Sequence, residues 1–169
     1  MMITKMIGKG AFTRAYLMSS GRVLLKSCCP IKEAMAWGWF PESPLFPEVK
    51  YVDVGVYEME YYPRVTSLKK ALKPDQYTIY KTLNAIYRTS AFDMIRMNDA
   101  DRYSYWYKRF EELPEELAEV LHEALDACAN FGSEIGFEIT PRNVAVKDGN
   151  LILLDVFFNV RKLKEVRRK

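Results

Sequence analysis

Two polar residues flank a predicted β-hairpin near the end of the sequence, and their oxygens are suited to a divalent cation. An apolar run at 144–146 is followed by Lys147-Asp148-Gly149-Asn150 and by a second apolar run at 151–154. An Asp-Gly pair between apolar runs is a strong hairpin signal, because both turn residues tolerate positive φ. Asn143 enters the hairpin and Asp155 leaves it, so we expect both at the same end. An amide oxygen beside a carboxylate is a suitable ligand pair for Mg²⁺.

A second carboxylate precedes this hairpin. Glu138 lies five residues before Asn143 in the segment Glu138-Ile139-Thr140-Pro141-Arg142-Asn143. From the same loop, its side chain can reach a hydroxyl group of a bound substrate. The segment therefore combines an acid or base with a candidate metal site.

Near the N-terminus, a glycine pair and a lysine offer groups that bind phosphate. Gly8 and Gly10 lie one residue apart at a strand turn, where backbone amides can approach a phosphate without side-chain interference. An ordinary β-turn is the alternative interpretation. Lys26 ends the apolar run 23–25, and a buried ammonium is costly without an anionic partner. That partner is a phosphate or a carboxylate such as Glu33, unless Lys26 extends from the strand end into solvent.

The elements that must position these groups are strands in the first third of the chain. Segments 3–18, 22–27 and 50–62 are rich in β-type residues and are bounded by Gly, Pro and Ser, which predicts strands. A short helix is predicted over 31–40, because Pro30 suits a helix start. The strand that ends at Pro63 is by itself typical of an ordinary edge strand. The alternative is a hinge, which divides the chain into units 1–63 and 64–169.

The second unit is predicted to be mostly helical. Apolar residues recur at three- and four-residue spacing over 75–90 and 114–131, as expected for helices with one buried face. Segment 91–112 has no clean period and is interpreted as loop plus helix. The basic tail 161–169 is interpreted as a solvated helix end, with docking to an acidic host protein or to nucleic acid as the alternative.

Length and composition exclude several functional classes. A chain of 169 residues with 49% apolar and 28% charged residues can bury a core as one domain or as two small lobes. No apolar run approaches the roughly 20 residues of a membrane span, and the N-terminus does not resemble a signal peptide. Three cysteines and a single histidine, His122, give neither a disulfide framework nor a zinc site, and suit a reducing cytoplasm. The net charge of +3 is too mild to indicate nucleic-acid binding by itself.

Taken in order, the glycine pair, the strand lysine and the segment from Glu138 to Asp155 resemble the protein-kinase signature. The resemblance extends from Ile7 to Phe157 and is closest to the small serine/threonine kinases of lytic podophages. It implies an α+β, bilobal fold, with an antiparallel N-lobe sheet and one helix above a reduced helical C-lobe. It also implies ATP and Mg²⁺ as cofactors, a bacterial host protein as partner, the host cytoplasm as location, and no membrane.

The resemblance implies a role for each matching residue. Lys26 contacts the α- and β-phosphates, and Glu33 orients it. Glu138 stands at the catalytic Asp position, and Asn143 and Asp155 stand at the two Mg²⁺ positions. The other residues implied to contact the nucleotide are Ile7, Gly8, Gly10 and Phe12 in the loop, Met59 at the gatekeeper position, Glu60 and Tyr62 at the adenine edge, and Ala145.

Several positions depart from the kinase pattern. Thr13 stands at the position of the third glycine of the kinase loop. Leu24 replaces a smaller residue above the adenine and narrows the expected pocket. Gly136 and Phe137 stand where kinases have His and Arg. The extra methylene of Glu138 displaces its carboxylate by roughly an ångström, which can cost on the order of 100-fold in rate. Because the sequence ends at Lys169, soon after the hairpin, we expect neither an activation segment nor a peptide-docking platform.

Three functions follow from this pattern. The first is transfer of the γ-phosphoryl group of ATP to a protein Ser/Thr hydroxyl, which needs positioning and charge neutralisation more than covalent chemistry. The second is a kinase-shaped protein that binds and inhibits a host factor without turnover. The third is phosphorylation of a small molecule, as in the related antibiotic kinases.

Overall fold

The first third of the chain forms an antiparallel sheet of five strands in the order β1-β2-β3-β5-β4. The computed structural model describes residues 2–169. The strands are β1 (Ile3–Lys9), β2 (Thr13–Met18), β3 (Val23–Ser27), β4 (Lys50–Asp53) and β5 (Val56–Met59). In β3, Val23, Leu25 and Ser27 are buried whereas Leu24 and Lys26 are more exposed, because successive side chains of a strand point to opposite faces. The predicted strands of this region are confirmed.

Helix α1 (Pro30–Ala36) connects β3 to β4. It begins with Pro30 in its first turn and is shorter than the predicted helix 31–40. Gly38 follows with φ of +77°, a left-handed conformation that glycine adopts at little cost and that commonly ends a helix. Ile31 and Met35 are buried on the inner face, whereas Glu33 is exposed.

The middle of the chain is helical, as predicted. The long helices are α3 (Pro74–Thr89) and α6 (Glu115–Ala129), close to the predicted bounds, and a short α2 (Leu68–Ala71) precedes them. Segment 91–112 contains α4 (Ala91–Arg96), a 3₁₀ turn at Asp99–Asp101 and α5 (Arg102–Phe110). The region therefore holds more helix than its irregular pattern predicted, because Trp106 and Phe110 on α5 are buried through tertiary contacts.

The last part of the chain contains two small antiparallel pairs. Strands β7 (Val144–Lys147) and β8 (Asn150–Leu153) form the predicted hairpin, with φ of 52° at Asp148 and 78° at Gly149. Strand β6 (Ile135–Phe137) pairs with β9 (Phe157–Asn159), a pairing that the sequence pattern did not predict. Helix α7 (Val160–Arg167) ends the chain, and the Asn159 side chain caps it by accepting from Lys162 N.

Two clusters of buried side chains form the core. The smaller cluster lies under the five-stranded sheet and includes Leu25, Met35 and Met59. The larger cluster joins α3, α5, α6 and the closing strands, and it also includes Ile31. Helix α1 thus contributes to both clusters, and it is the element that packs the sheet against the second half of the chain.

The architecture is α+β, as predicted, with an antiparallel sheet in the first third and helices in most of the remainder. Within residues 2–169, no helix combines the length and the apolar character needed to cross a bilayer.

Candidate functional site

Asn143 and Asp155 lie together at the open end of the β7–β8 hairpin, as the sequence predicted. The Asn143 carbonyl accepts from the amides of Leu154 and Asp155, at 2.9 and 3.3 Å. The Asn143 side-chain Nδ2 donates to the Asp155 carbonyl at 2.9 Å, and its Oδ1 accepts from Thr140 Oγ1 at 2.5 Å. The amide of Asn143 is thereby held in one orientation beside Asp155.

The nearest cation to Asp155 is Lys32, a residue that the sequence analysis did not single out. Lys32 Nζ lies 2.6 Å from Asp155 Oδ1 and 3.3 Å from the Leu154 carbonyl. The side chain of Lys32 is only 4% exposed, whereas that of Asp155 is 60% exposed. A buried ammonium requires such acceptors, because its desolvation is unfavourable without them.

Lys26, the predicted phosphate-binding lysine, is exposed, and the ion pair of Asp155 is formed by Lys32 instead. Its Nζ lies 5.5 Å from the centre of the Tyr16 ring. Glu33, its expected partner, accepts instead from Trp37 Nε1 at 3.3 Å. Among residues 2–169, the expected Lys26–Glu33 ion pair is not formed. The reason is the helical frame of α1, which turns Lys32 inward and Glu33 to solvent.

A signal for Lys32 exists in the sequence. Ile31, Lys32, Ala34 and Met35 form one inward-facing stripe of α1, with the three- and four-residue spacing of a buried helical face. A lysine between the apolar positions of such a stripe needs an anionic partner. Only the tertiary structure identifies that partner as Asp155.

The glycine pair lies in the β1–β2 hairpin. Gly8 is opposite Ala15, and Gly10 N donates to the Thr13 carbonyl at 2.8 Å. A Cβ atom added at Gly8 or Gly10 would meet no atom closer than 3.7 or 3.9 Å, respectively, and neither residue has a positive φ. The fold itself therefore does not require glycine at these two positions.

Two further residues of the predicted nucleotide set lie in this hairpin, one in β1 and one in the turn. Ile7 packs against the smaller core cluster. Phe12 packs against the larger cluster, and its carbonyl accepts from Cys28 N at 3.1 Å. This contact extends the pairing of β2 with β3 beyond Thr13 and fixes one side of the glycine turn.

The segment after β5 is tied to the closing hairpin. Glu60 forms an ion pair with Lys147 of β7 at 2.9 Å, in which both side chains are nearly half exposed. Met59 and Ala145 are buried. Tyr62 packs against the smaller cluster, and partial burial, reinforced by the charge of Glu60, raises the pKa of its hydroxyl. Met59, Glu60 and Tyr62 thus lie along a connection that contacts the β7–β8 pair.

Glu138 follows β6 and is held through its backbone. Its amide donates to the Val156 carbonyl at 2.8 Å, next to Asp155 in sequence. The following carbonyl, that of Ile139, accepts from Asn84 Nδ2 at 2.8 Å. The loop that carries Glu138 is therefore attached both to Val156, the residue after Asp155, and to α3.

The two positions before Glu138 are occupied by core residues. A Cβ atom on Gly136 would lie 2.2 Å from the Phe158 ring, so that ring occupies the space of a side chain there. Phe137 is buried against Trp106, Phe110 and Phe157, with ring centres 5.0–5.3 Å apart. These positions therefore supply packing rather than polar groups to the site.

A small cavity of about 10 Å³ lies between α1 and residues 154–157. Cys29, Lys32 and Asp155 are among its lining residues. This volume suits about one water molecule. Burial raises the pKa of the Cys29 thiol above its ordinary value, with a smaller opposing effect of Lys32, so Cys29 is a neutral packing group.

The oxygens at the hairpin end come from the two residues that the sequence analysis assigned to magnesium. Within residues 2–169, no cluster of three or more His, Cys, Asp or Glu is arranged to hold a metal. Mg²⁺ nevertheless commonly uses one or two carboxylates together with substrate phosphates and water. The exposed Asp155 carboxylate meets that requirement, and Asn143 Oδ1 keeps a second lone pair beyond its bond to Thr140.

The basic C-terminal tail is partly engaged by the rest of the chain. Arg161 pairs with Glu134 at 2.7 Å, and Lys164 pairs with Asp99. Helix α7 is thus attached to the body through two of its cations. Lys162 pairs with Glu165 within the helix at 3.7 Å, and Arg167, Arg168 and Lys169 are exposed.

No protein-family model matches the chain, and the search of curated proteins gave no match.

Proposed function

We propose that the chain is a minimal, kinase-like phosphotransferase that transfers the γ-phosphoryl group of ATP to Ser/Thr hydroxyls of host bacterial proteins in the cytoplasm. The contact between Asn143 and Asp155, beside the buried ammonium of Lys32, carries the proposal. The order of elements also supports it. A five-stranded antiparallel sheet with one helix between β3 and β4 precedes a helical segment and a closing hairpin. This is the order of elements that the kinase resemblance implies.

The proposed reaction needs few protein groups. The oxygen of the acceptor hydroxyl forms a bond to the γ-phosphorus, the bond between that phosphorus and the β,γ-bridging oxygen breaks, and ADP leaves. The hydroxyl proton passes to the Glu138 carboxylate. Backbone amides of the β1–β2 hairpin and a lysine ammonium hold the phosphates. Mg²⁺, held by Asp155 and Asn143, would neutralise the phosphate charge, which is the main requirement of this chemistry.

A second candidate function is binding and inhibition of a host protein without turnover. Two observations favour it. Lys32 already engages Asp155, and the adjacent cavity of about 10 Å³ is far smaller than a nucleotide. On this alternative, Lys32 and Asp155 stabilise the packing of α1 against the closing hairpin and have no catalytic role.

One assay separates the two functions. The purified chain is incubated with γ-labelled ATP, Mg²⁺ and a bacterial lysate, and the Asp155→Ala variant is tested beside it. Asp75→Ala is the matched control, because Asp75 is an exposed carboxylate in the first turn of α3. If the chain is a kinase, wild type and Asp75→Ala label proteins, whereas Asp155→Ala does not.

Two other outcomes decide against protein phosphorylation. If neither wild type nor Asp155→Ala labels protein and both inhibit a host process, the chain acts as a binding protein. ATP turnover without labelled protein identifies a small-molecule kinase.

A further inference from the structure

We infer that the outer face of the five-stranded sheet binds single-stranded nucleic acid, with the phosphates on a row of three cations and the bases on a neighbouring row of aromatic and apolar side chains. The outer face carries Arg14, Tyr16 and Lys26, and it is opposite the face on which Leu25 packs into the smaller core cluster. The inference goes beyond the proposed function and does not depend on it. The closing hairpin lies on the other side of the sheet, where Leu154 packs against the smaller cluster.

Three cations lie side by side across strands β1, β2 and β3. Lys9 pairs in register with Arg14, and Arg14 pairs in register with Lys26. Opposite residues of antiparallel strands share one face, with Cβ atoms about 5 Å apart, and like charges so placed repel each other. All three residues are exposed, and among residues 2–169 none of them forms an ion pair. A polyanion would neutralise this row.

The carboxylates of the outer face do not offset the cationic row. Glu58 lies opposite Leu24 and forms an ion pair with Arg22. Asp53 lies on the edge strand β4, and its Oδ1 accepts from Val54 N at 2.8 Å. Both carboxylates thus have partners within the chain, so the positive charge of the row remains available to a ligand.

A row of aromatic and apolar side chains runs beside the cations. Tyr16, two residues from Arg14, lies opposite Met6 on one side and Leu24 on the other. Met6 is 54% exposed, and Tyr16 and Leu24 are half-buried. Lys26 Nζ lies 5.5 Å from the centre of the Tyr16 ring, so the two rows are contiguous. Proteins that bind single strands combine positive charge along the backbone path with aromatic rings on which bases stack.

The two rows together favour a single strand over other polyanions. A duplex keeps its bases stacked inside, and five strands at about 4.8 Å spacing form a face about 19 Å wide, too wide for a major groove of about 12 Å. An acidic peptide neutralises the cations but has no flat rings in regular array to stack on Tyr16. A single strand supplies both closely spaced phosphates and unpaired bases.

The test measures binding by fluorescence anisotropy of a labelled single-stranded DNA of about 12 nucleotides, between about 50 and 200 mM salt. Unlabelled competitors are the same strand, its duplex, an abasic strand of equal length and a polyglutamate peptide. Arg14→Gln removes the central cation, and Tyr16→Leu removes the ring but keeps an apolar side chain. Lys108→Gln is the matched control, because Lys108 is an exposed lysine on α5, outside the sheet.

For wild type, we expect the logarithm of the affinity to fall with the logarithm of the salt concentration with a slope of about −2, since each of three neutralised phosphates contributes about −0.7. Arg14→Gln should change the slope to about −1.4 and weaken binding at low salt at least about 3-fold. Tyr16→Leu should keep the slope and weaken binding at least about 5-fold, the usual effect of a lost stacking contact. Lys108→Gln should leave both quantities unchanged.

The repulsion within the row is measured without ligand. Arg14→Gln should raise the midpoint of thermal unfolding by about 1–4 °C, because it relieves two contacts between like charges. Lys108→Gln should leave the midpoint unchanged. An unchanged or lower midpoint for Arg14→Gln would contradict the repulsion on which the inference rests.

The contrary binding results are equally distinct. If wild type does not bind the single strand, the inference is overturned. If the abasic strand or polyglutamate competes as well as the intact strand, the face binds polyanions without stacking of bases, and equal competition by the duplex contradicts the preference for a single strand. If Lys108→Gln weakens binding as much as Arg14→Gln, total charge and not the row is responsible. Should Tyr16→Leu not fold, the abasic strand decides, because it also removes the stacking contact.

Discussion

Lys32 and Asp155 form an ion pair of very unequal exposure, since the lysine side chain is 4% exposed and the aspartate side chain 60%. Removal of the carboxylate and removal of the ammonium therefore have different consequences. Loss of the carboxylate leaves a buried ammonium with one neutral acceptor, the Leu154 carbonyl. Loss of the ammonium leaves a carboxylate that water can still solvate.

This asymmetry gives the first prediction. Asp155→Ala should lower the free energy of unfolding by about 1–3 kcal/mol, the usual cost of a buried polar group without its partner. Lys32→Met should cost less, because an apolar side chain of similar volume suits a buried position. Denaturant unfolding of the two variants and of Asp75→Ala measures the difference. Equal losses for Asp155→Ala and Lys32→Met would contradict the argument.

The second prediction concerns Gly136 and the Phe158 ring that covers it. A Cβ atom at Gly136 would lie 2.2 Å from that ring, so Gly136→Ala must displace Phe158. We expect a loss of about 1–3 kcal/mol in the free energy of unfolding, as for other overpacked positions.

The matched control for Gly136→Ala is a double-mutant cycle. In a Phe158→Ala background, the alanine at position 136 has room and its cost should largely disappear. Coupling of this kind is expected for residues in direct contact. If Gly136→Ala lowers the free energy of unfolding equally in both backgrounds, contact with the Phe158 ring is not the cause of the loss.

The third prediction compares two glycines in different hairpins. Gly149 has φ of +78°, and a Cβ there would lie 3.0 Å from Lys73 Cγ. Gly149→Ala should therefore cost about 1–2 kcal/mol, the penalty of a left-handed conformation with a side chain. Gly10→Ala should change the free energy of unfolding by less than about 0.5 kcal/mol, because Gly10 has neither a positive φ nor a close neighbour.

The same comparison bears on the function. If the β1–β2 hairpin covers a nucleotide, Gly10→Ala should weaken Mg·ATP binding without loss of stability, because the added Cβ keeps the backbone away from the phosphates. Calorimetric titration of wild type, Gly10→Ala and Gly149→Ala measures this effect. Unchanged affinity of a stable Gly10→Ala variant would argue that the glycine is an ordinary turn residue.

The fourth prediction concerns pH and the attachment of α7. Hydrogen bonds from Lys164 and then from Arg102 lower the pKa of Asp99 below its ordinary value of 3.8. Because the folded pKa is lowered, this interaction stabilises the fold above pH 3.8, and the stabilisation is lost as the pH falls below it. NMR titration should show the pKa of Asp99 rising toward its ordinary value in Lys164→Met. The control Lys169→Met, which changes an exposed lysine, should leave the pKa of Asp99 unchanged.

Much of the fold could be predicted from local pattern. The Asp148-Gly149 turn between two apolar runs predicted the β7–β8 hairpin, because both residues tolerate the positive φ that this turn requires. The hairpin in turn predicted that Asn143 and Asp155 would be neighbours. By contrast, the pairing of β6 with β9 joins strands of three residues each, too short for a periodic signal, across the intervening hairpin.

The sequence by itself determined the strands, the long helices and the meeting of Asn143 with Asp155, since short-range conformational preferences and one turn are enough to specify them. Only the tertiary structure decided which lysine faces Asp155. Lys26 and Lys32 are both plausible from their neighbours in sequence, but the rotation of α1 against the closing strands buries Lys32 and leaves Glu33 in solvent, whereas Lys26 lies on the exposed face of β3. That rotation is set by the packing of Ile31 and Met35 into two different core clusters, a long-range condition that no local pattern contains.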